Sequence, residues 1–256
     1  MVILSPRQTD IVTLARSEGR VTVEGLAERF AVTPQTIRKD LNELCDSGVL
    51  NRYHGGAVPA SGAVNFAYEA RRQLAPDEKR AIGKAAARLI PEGASLLINI
   101  GTTTEQVATA LRGRKGLMVI TNNINVAHIL QGFSDIEVVV AGGVLRHSDG
   151  GIVGEAAVDF IRQFKVDYAV IGASAIDHDG TLLDYDYREV RVAKAIMACA
   201  RTSILVADAM KFERTAPVRI GHLTNIDIFV TDQPLPAALG LACREHDVRV
   251  EIATKT

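Results

Sequence analysis

An excess of positive charge is what this 256-residue sequence conspicuously lacks: 29 Lys and Arg stand against 30 Asp and Glu, a formal net charge of −1. The first 56 residues are no better supplied, with seven basic side chains against seven acidic ones. Any nucleic-acid partner must therefore be met by arrangement and not by bulk charge. Cysteine is scarce as well. Cys45, Cys199 and Cys243 are widely separated with no C-x-x-C pair, which argues against a disulfide framework or a zinc site and suits a reducing cytoplasm. Each thiol reads as a small packing residue. No apolar run approaches the roughly 20 residues that span a bilayer, and MVILSPRQTD has neither the basic leader nor the apolar segment of a secretory signal. A cytoplasmic chain with no membrane partner is expected. A dinucleotide G-x-G-x-x-G, a nucleophile elbow and an H-E-x-x-H are all missing. His54, His128, His147, His178, His222 and His246 show no metal-ligand spacing, so neither a catalytic residue nor a metal site is expected.

What is present is ordinary globular material, 47% apolar and 23% charged, in a length that suits a small domain followed by a larger one. Ser5-Pro6-Arg7-Gln8 reads as a helix start: Ser5 caps, Pro6 takes the first helical position, and Gln8 completes a capping box. Ile11, Leu14 and Ala15 follow at helical spacing, and Gly19 stops the helix. After Val21-Thr22-Val23 comes a second helix with Leu26, Ala27 and Phe30 on its buried face. Thr33-Pro34 starts a third by the same cap-then-proline logic, with Ile37, Leu41 and Leu44 as its stripe and Gly48 as its end. Two short helices joined by a few residues form the helix-turn-helix pattern. Outside the stripe lie Gln35, Thr36, Arg38, Lys39 and Asn42. Arg and Lys reach guanine edges or phosphates, and Gln and Asn read adenine. The helix N-terminus and the hydroxyls of Thr33 and Thr36 suit phosphate. Residues 49–56, VLNRYHGG, read as a β-hairpin wing that offers Arg52 and His54 to the DNA backbone. Asp40, Glu43 and Asp46 share the third helix and oppose such a partner; Asp40 is expected to orient a neighbouring arginine or to cap locally. The competing reading is a small helical interaction domain with a solvated polar face.

Residues 55–63, GGAVPASGA, are uncharged and read as a hinge. The pattern turns helical from Asp77 to Ile90. Beyond it, near-continuous apolar runs at 95–100, 117–121, 136–141, 167–172, 203–208 and 226–231 alternate with helices. That pattern predicts an α/β fold with a mostly parallel sheet covered on both faces, whose ligands lie beyond the carboxyl ends of its strands. The residues there are Gly101-Thr102-Thr103-Thr104, Thr121-Asn122-Asn123, Gly142-Gly143 with Arg146, and Lys211 just after Asp208. Glycine admits close backbone approach, hydroxyls donate, and helix N-termini favour an anion. No lysine sits in the first loop, so it is no nucleotide P-loop. Asp186-Tyr187-Arg188-Glu189 has capping-box spacing, while Asp184 and Glu189 are candidates for holding ligand hydroxyls. A small polyol or sugar phosphate fits this set. Two functions remain: a metabolite-switched regulator, or a sugar-phosphate isomerase with Asp184 or Glu189 as base, Lys211 as enediolate stabiliser and an accessory helical domain.

The stretches VTPQTIRKDLNEL and LNRYHGGA resemble the helix-turn-helix signature of DeoR-type bacterial regulators. INIGTTTE, VITNN, VVVAGGVLR, VGEAAVDFI and ADAMKF are similar to the effector-domain motifs of that family, in the same order. The resemblance implies a winged helix over residues 1–57, a linker over 58–76, and over 77–256 an effector domain related in fold to ribose-5-phosphate isomerase. It further implies a repressor of carbon catabolism, active as a homodimer or homotetramer on double-stranded operator DNA. A phosphorylated metabolite, glycerol 3-phosphate first among the candidates, would release it. Two positions depart from the family pattern: Asn99 stands where an Asp usually precedes the glycine, and Ala209-Met210 replaces a small polar pair before Lys211.

Overall fold

The computed structural model describes residues 4–18, 20–47, 49–53, 55–59 and 68–254. The helix stops expected at Gly19 and Gly48, the wing residue His54, and residues 60–67 of the expected linker lie outside that set. The chain divides into two compact units, Met1–Leu74 and Ala75–Thr256.

In the first unit, α1 (Pro6–Glu18) is followed by β1 (Val21–Thr22), α2 (Val23–Arg29), α3 (Pro34–Asp46), β2 (Leu50–Tyr53), β3 (Gly56–Pro59) and α4 (Tyr68–Gln73). The cap at the start of α1 is a reciprocal box: Gln8 N donates to Ser5 Oγ at 3.2 Å and Ser5 N to Gln8 Oε1 at 3.0 Å. Thr22 and Thr33 cap α2 and α3, and Ala31, in the left-handed region at φ 51°, makes the tight break between them. The three helices bury Ile11, Ala15, Leu26, Ile37, Leu41 and Leu44 against one another in a single core. The wing is a three-stranded antiparallel sheet in the order β1-β3-β2. Gly56 is required there, because a Cβ on it would lie 2.0 Å from the carbonyl oxygen of Val21.

The second unit opens with α5 (Pro76–Arg88), β4 (Ser95–Ile98), α6 (Thr102–Ala110), β5 (Leu117–Thr121), α7 (Ile124–Leu130) and β6 (Ile136–Val140). A hairpin of β7 (Val144–Arg146) and β8 (Gly151–Val153) leads to α8 (Glu155–Ile161) and β9 (Val166–Ile171). Then come β10 (Ala175–Ile176), β11 (Thr181–Asp184), α9 (Tyr187–Ala198), β12 (Ala200–Val206), β13 (Val218–His222), β14 (Ile228–Thr231), α10 (Ala237–Glu245) and β15 (Arg249–Ile252). The main sheet has seven strands in the order β15-β14-β12-β9-β4-β5-β6. Every pairing in it is parallel.

Alternate residues of each strand feed two cores. Leu97, Ala169, Ile171, Leu205 and Phe229 face one way, toward α8, α9 and α10. Leu96, Ile98, Val170, Ile204 and Val230 face the other, toward α5, α6 and α7. The expectation of a parallel sheet covered on both faces therefore holds. The strand at Arg249–Ile252 was not anticipated: it is an edge strand whose Arg249 and Glu251 interrupt the apolar run. Cys199 and Cys243 are buried packing residues of the first of these cores, and burial pushes both thiols up.

Candidate functional site

In the first unit, helix α3 presents the face foreseen from the sequence. Thr33, Gln35, Arg38, Lys39 and Asn42 are exposed, Thr36 is half-buried, and Arg52 is exposed on β2. The hydroxyls of Thr33 and Thr36 are 2.9 Å apart, and Thr33 Oγ1 accepts from Thr36 N at 3.3 Å, so the local cap already uses the first of them. Asp40 does orient an arginine, but one 33 residues away: Arg7 Nε donates to Asp40 Oδ2 at 2.6 Å and Nη2 to Oδ1 at 3.3 Å. Glu43 Oε2 accepts from Gln8 Nε2 at 2.6 Å. These residues of α1 and α3 line one shared groove.

In the second unit, the sheet order decides where a ligand can sit. The chain leaves β4 for β5 and β6 on one side and later returns to β9 on the other. The crevice beyond the ends of β4 and β9 is thus the topological switch point. Because all seven strands are parallel, the segments after β4, β5, β6 and β12 share one edge, and with them come the loops singled out above.

The loop after β4 runs straight into α6. Gly101, at φ 148°, is the N-cap of α6, and no side chain caps that helix, whose first-turn N–H groups lack intrahelical partners. Thr102 and Thr103 are largely buried. Thr104 serves the turn itself, since its hydroxyl lies 2.8 Å from Asn99 O and 2.7 Å from Gly101 O and locks the loop in place. Asn99 is 2% exposed, and its Oδ1 has no hydrogen-bond partner among the described residues. The same holds for Asn122 Oδ1, while Asn122 Nδ2 donates to Ile152 O at 3.1 Å. Leaving such acceptors dry and unpaired is costly, and a hydroxyl donor would satisfy them.

Thr121 and Asn123 serve the scaffold. Thr121 Oγ1 donates to Ile98 O at 2.7 Å and accepts from Asn123 N at 3.0 Å. Asn123 Oδ1 caps α7, and its Nδ2 donates to Glu105 Oε1 at 3.1 Å. The β7–β8 hairpin docks here, Ile152 N donating to Asn122 O at 2.7 Å and Ile124 N to Gly150 O at 3.0 Å. A Cβ on Gly151 would come within 2.4 Å of Ile100 Cδ1, which brings the hairpin against the Gly101 loop. Gly142 and Gly143 are exposed. Gly143, at φ 148°, lets the chain approach Ile152 and Val153, so it serves the turn into the hairpin.

Arg146 ends β7 and is the hub of the polar side. Its Nε and Nη2 donate to Asp149 at 2.8 and 2.7 Å, Nη1 to Asp186 Oδ2 at 3.1 Å, and Nη2 also to Glu189 Oε2 at 2.5 Å. Burial alone would lower its pKa, but the bonds to Asp149 and the charges of Glu189 and Asp149 raise it instead. Glu189 is pushed up to about 8, first by burial and then by the charge of Asp184, with Arg146 opposing both. Asp184 accepts from Ser174 Oγ at 3.0 Å and Tyr185 N at 2.6 Å. Asp186 caps α9, as its place in the sequence suggests. Asp186 Oδ1 accepts from Arg188 N, whereas Glu189 turns to Arg146, whose full charge outcompetes a backbone N–H. Lys211 lies in a single 3₁₀ turn after β12, where its N–H donates to Asp208 O at 3.0 Å. Sequence reasoning passed over Glu105, Asn125, Asp149 and Ser174. Of these only Asp149 had a local signal, its i+3 spacing from Arg146. Among the described residues no group of three or more His, Cys, Asp or Glu side chains is placed to hold a metal ion, and no helix is long and apolar enough to cross a membrane.

Two family models match the chain: a DeoR-like helix-turn-helix domain over residues 7–62 and a DeoR C-terminal sensor domain over residues 74–233. A glycerol-3-phosphate regulon repressor of Escherichia coli K12 is 43% identical over 246 residues, covering 96% of this chain and 98% of its own. The Haemophilus influenzae protein of the same name is 48% identical over 231 residues, 90% of each chain. The HTH-type transcriptional repressor CsqR of Escherichia coli is 41% identical over 97% of this chain and 94% of its own. Among solved structures, ribose 5-phosphate isomerase A from Neisseria gonorrhoeae aligns over 52% of each chain at 17% identity with a TM-score of 0.39, a likeness too loose to carry an argument.

Proposed function

The chain belongs to the DeoR family of transcriptional regulators, and we propose that it represses a glycerol 3-phosphate regulon and is released from its operator by glycerol 3-phosphate. It is a DNA-binding repressor and not an enzyme, as its near-full-length relatives are repressors. The observation that carries the reading of the sensor unit is the pairing, at one switch point, of an uncapped helix N-terminus with two buried amide oxygens that lack donors among the described residues. The first suits a phosphate and the second suit hydroxyls, which together describe a polyol phosphate. Glycerol 3-phosphate is preferred among polyol phosphates because two relatives that match nearly end to end carry it in their names.

In this reading the phosphate lies on Gly101, Thr102 and Thr103, with the cation of Lys211 nearby. Asn99 and Asn122 accept from the glycerol hydroxyls. Thr104, Thr121, Asn123, Gly142 and Gly143 shape the cleft, and Arg146, Asp184 and Glu189 close its polar side. Thr33, Gln35, Thr36, Arg38, Lys39, Asn42, Arg52 and His54 meet the operator. Residues 60–75 link the wing, whose last strand ends at Pro59, to the sensor domain that opens with α5. A homodimer or homotetramer reads two half-sites, which a domain with so little positive charge needs for affinity. Effector binding need favour the low-affinity state by only about 1–3 kcal/mol to change operator affinity roughly 5–150-fold.

The test is a titration of glycerol 3-phosphate, beside a panel of other sugar phosphates, into full-length protein bound to a labelled duplex. Release by glycerol 3-phosphate at lower concentration than by the rest is expected. Unchanged binding up to millimolar ligand would refute the inducer assignment.

A further inference from the structure

The recognition helix carries more negative than positive charge: Arg38 and Lys39 against Asp40, Glu43 and Asp46. A helix entering the major groove with that balance meets phosphates with its own carboxylates, which opposes binding. The structure answers this from the start of α1. Arg7 holds Asp40 with a two-pronged bond, and the Asp40 side chain is only 8% exposed, packed on the side of α3 that carries Ile37 and Leu41. Gln8, one residue on, holds Glu43. Lys39 and Glu43 are spaced i,i+4 and could have paired along α3, though with lysine on the N-terminal side, the weaker orientation. They do not: neither Arg38 nor Lys39 is in an ion pair with any described residue, and both are exposed.

We propose that Arg7 and Gln8 are positioning residues for DNA recognition, holding the carboxylates of Asp40 and Glu43 on α1 so that Arg38 and Lys39 meet DNA unopposed. Their place fits this role, since the start of α1 lines the same groove as Gln35, Arg38 and Asn42. The tie also works in the other direction, because the hydrogen bond and the charge of Asp40 raise the pKa of Arg7. Asp46 is left outside the arrangement, in the last turn of α3 and away from the N-terminal residues that read bases.

The inference rests on the DNA-binding reading, and the experiment separates the two. Full-length protein first selects a duplex from random sequence, and failure to enrich any would sink DNA binding itself. Affinity for the selected duplex is then measured by fluorescence anisotropy in a double-mutant cycle. Arg7→Ala is expected to weaken binding about tenfold in the native background and less than about twofold beside Asp40→Asn. Gln8→Ala should behave likewise with Glu43→Gln. Arg7→Lys, which keeps the charge and loses the fork, should retain most of the affinity. A direct phosphate contact by Arg7 predicts a different result: equal loss in both backgrounds and a salt slope reduced by about one. That outcome would overturn the proposal. So would binding unrescued by Asp40→Asn together with loss of helical signal, since Arg7 would then serve the fold alone.

Discussion

Replacing Arg146 by alanine should destabilise the sensor unit more than any other single change to its polar side. The guanidinium makes four hydrogen bonds to three carboxylates. Charge-assisted bonds contribute roughly 1.5–3 kcal/mol each when taken singly, but the sum overstates the loss. Asp186 keeps Arg188 and its cap on α9. Glu189, pushed up by burial and by the charge of Asp184, binds its proton more tightly than a free carboxyl and so loses less than a fully ionised partner would. What remains is Asp149, whose side chain is fully buried and whose guanidinium partner would be gone. Breaking a buried pair from one side costs about 3–5 kcal/mol, and the lower end applies because Asp149 keeps the N–H of Gly151. For a unit of this size the midpoint should fall on the order of 10 °C.

The pH dependence supplies the sharper check. A carboxyl whose folded pKa lies above its unfolded value binds its proton more tightly in the folded state. Its stabilising contribution is whole below about 4.5 and is lost as pH rises toward 8, at up to about 1.4 kcal/mol per unit. Above 8 the native protein levels off, because Arg146 then supports the ionised Glu189. The Arg146→Ala protein continues to fall, since its Glu189 is pushed further up. The gap between the two proteins should therefore widen as pH rises above about 8, and Glu189→Gln should abolish the widening. Urea melts of the sensor unit across that range make the measurement. A gap under about 1 kcal/mol at pH 7, or one that narrows as pH rises, would refute the argument.

Other outcomes follow from single contacts. Thr33→Ala removes the side-chain cap of α3 and should cost the first unit about 1 kcal/mol in a thermal melt. Gly83→Ala would place a Cβ 2.6 Å from the backbone of Gln106, where α5 and α6 touch, and should destabilise the second unit by about 1–3 kcal/mol in denaturant. Arg38→Ala should weaken operator binding by about 1–3 kcal/mol while calorimetric binding of glycerol 3-phosphate is unchanged. Thr103→Val should do the reverse, giving a protein that binds the operator and is no longer released by effector; equal damage to both functions from either change would count against separable units.

Features fixed by neighbours in sequence were legible in it. Ser5 with Gln8, Thr33 with Pro34, and the apolar stripe of α3 each need only the next few residues, and all formed as read. The parallel sheet was legible because strands buried on both faces must be apolar throughout. The polar hub was not. Arg146 finds Asp186 and Glu189 across 40 and 43 residues, with a hairpin, a helix and three further strands between, and no spacing records that meeting. The local rule held for Asp186, which caps α9, but no local rule shows that a guanidinium from elsewhere takes Glu189. Arg7 and Asp40 repeat the lesson. Counting charges in the first domain gave no reason to expect DNA, because a count treats every carboxylate as facing outward. Two of the three on the recognition helix are held by α1, so the charge that matters for binding is a property of packing, and composition can only bound it.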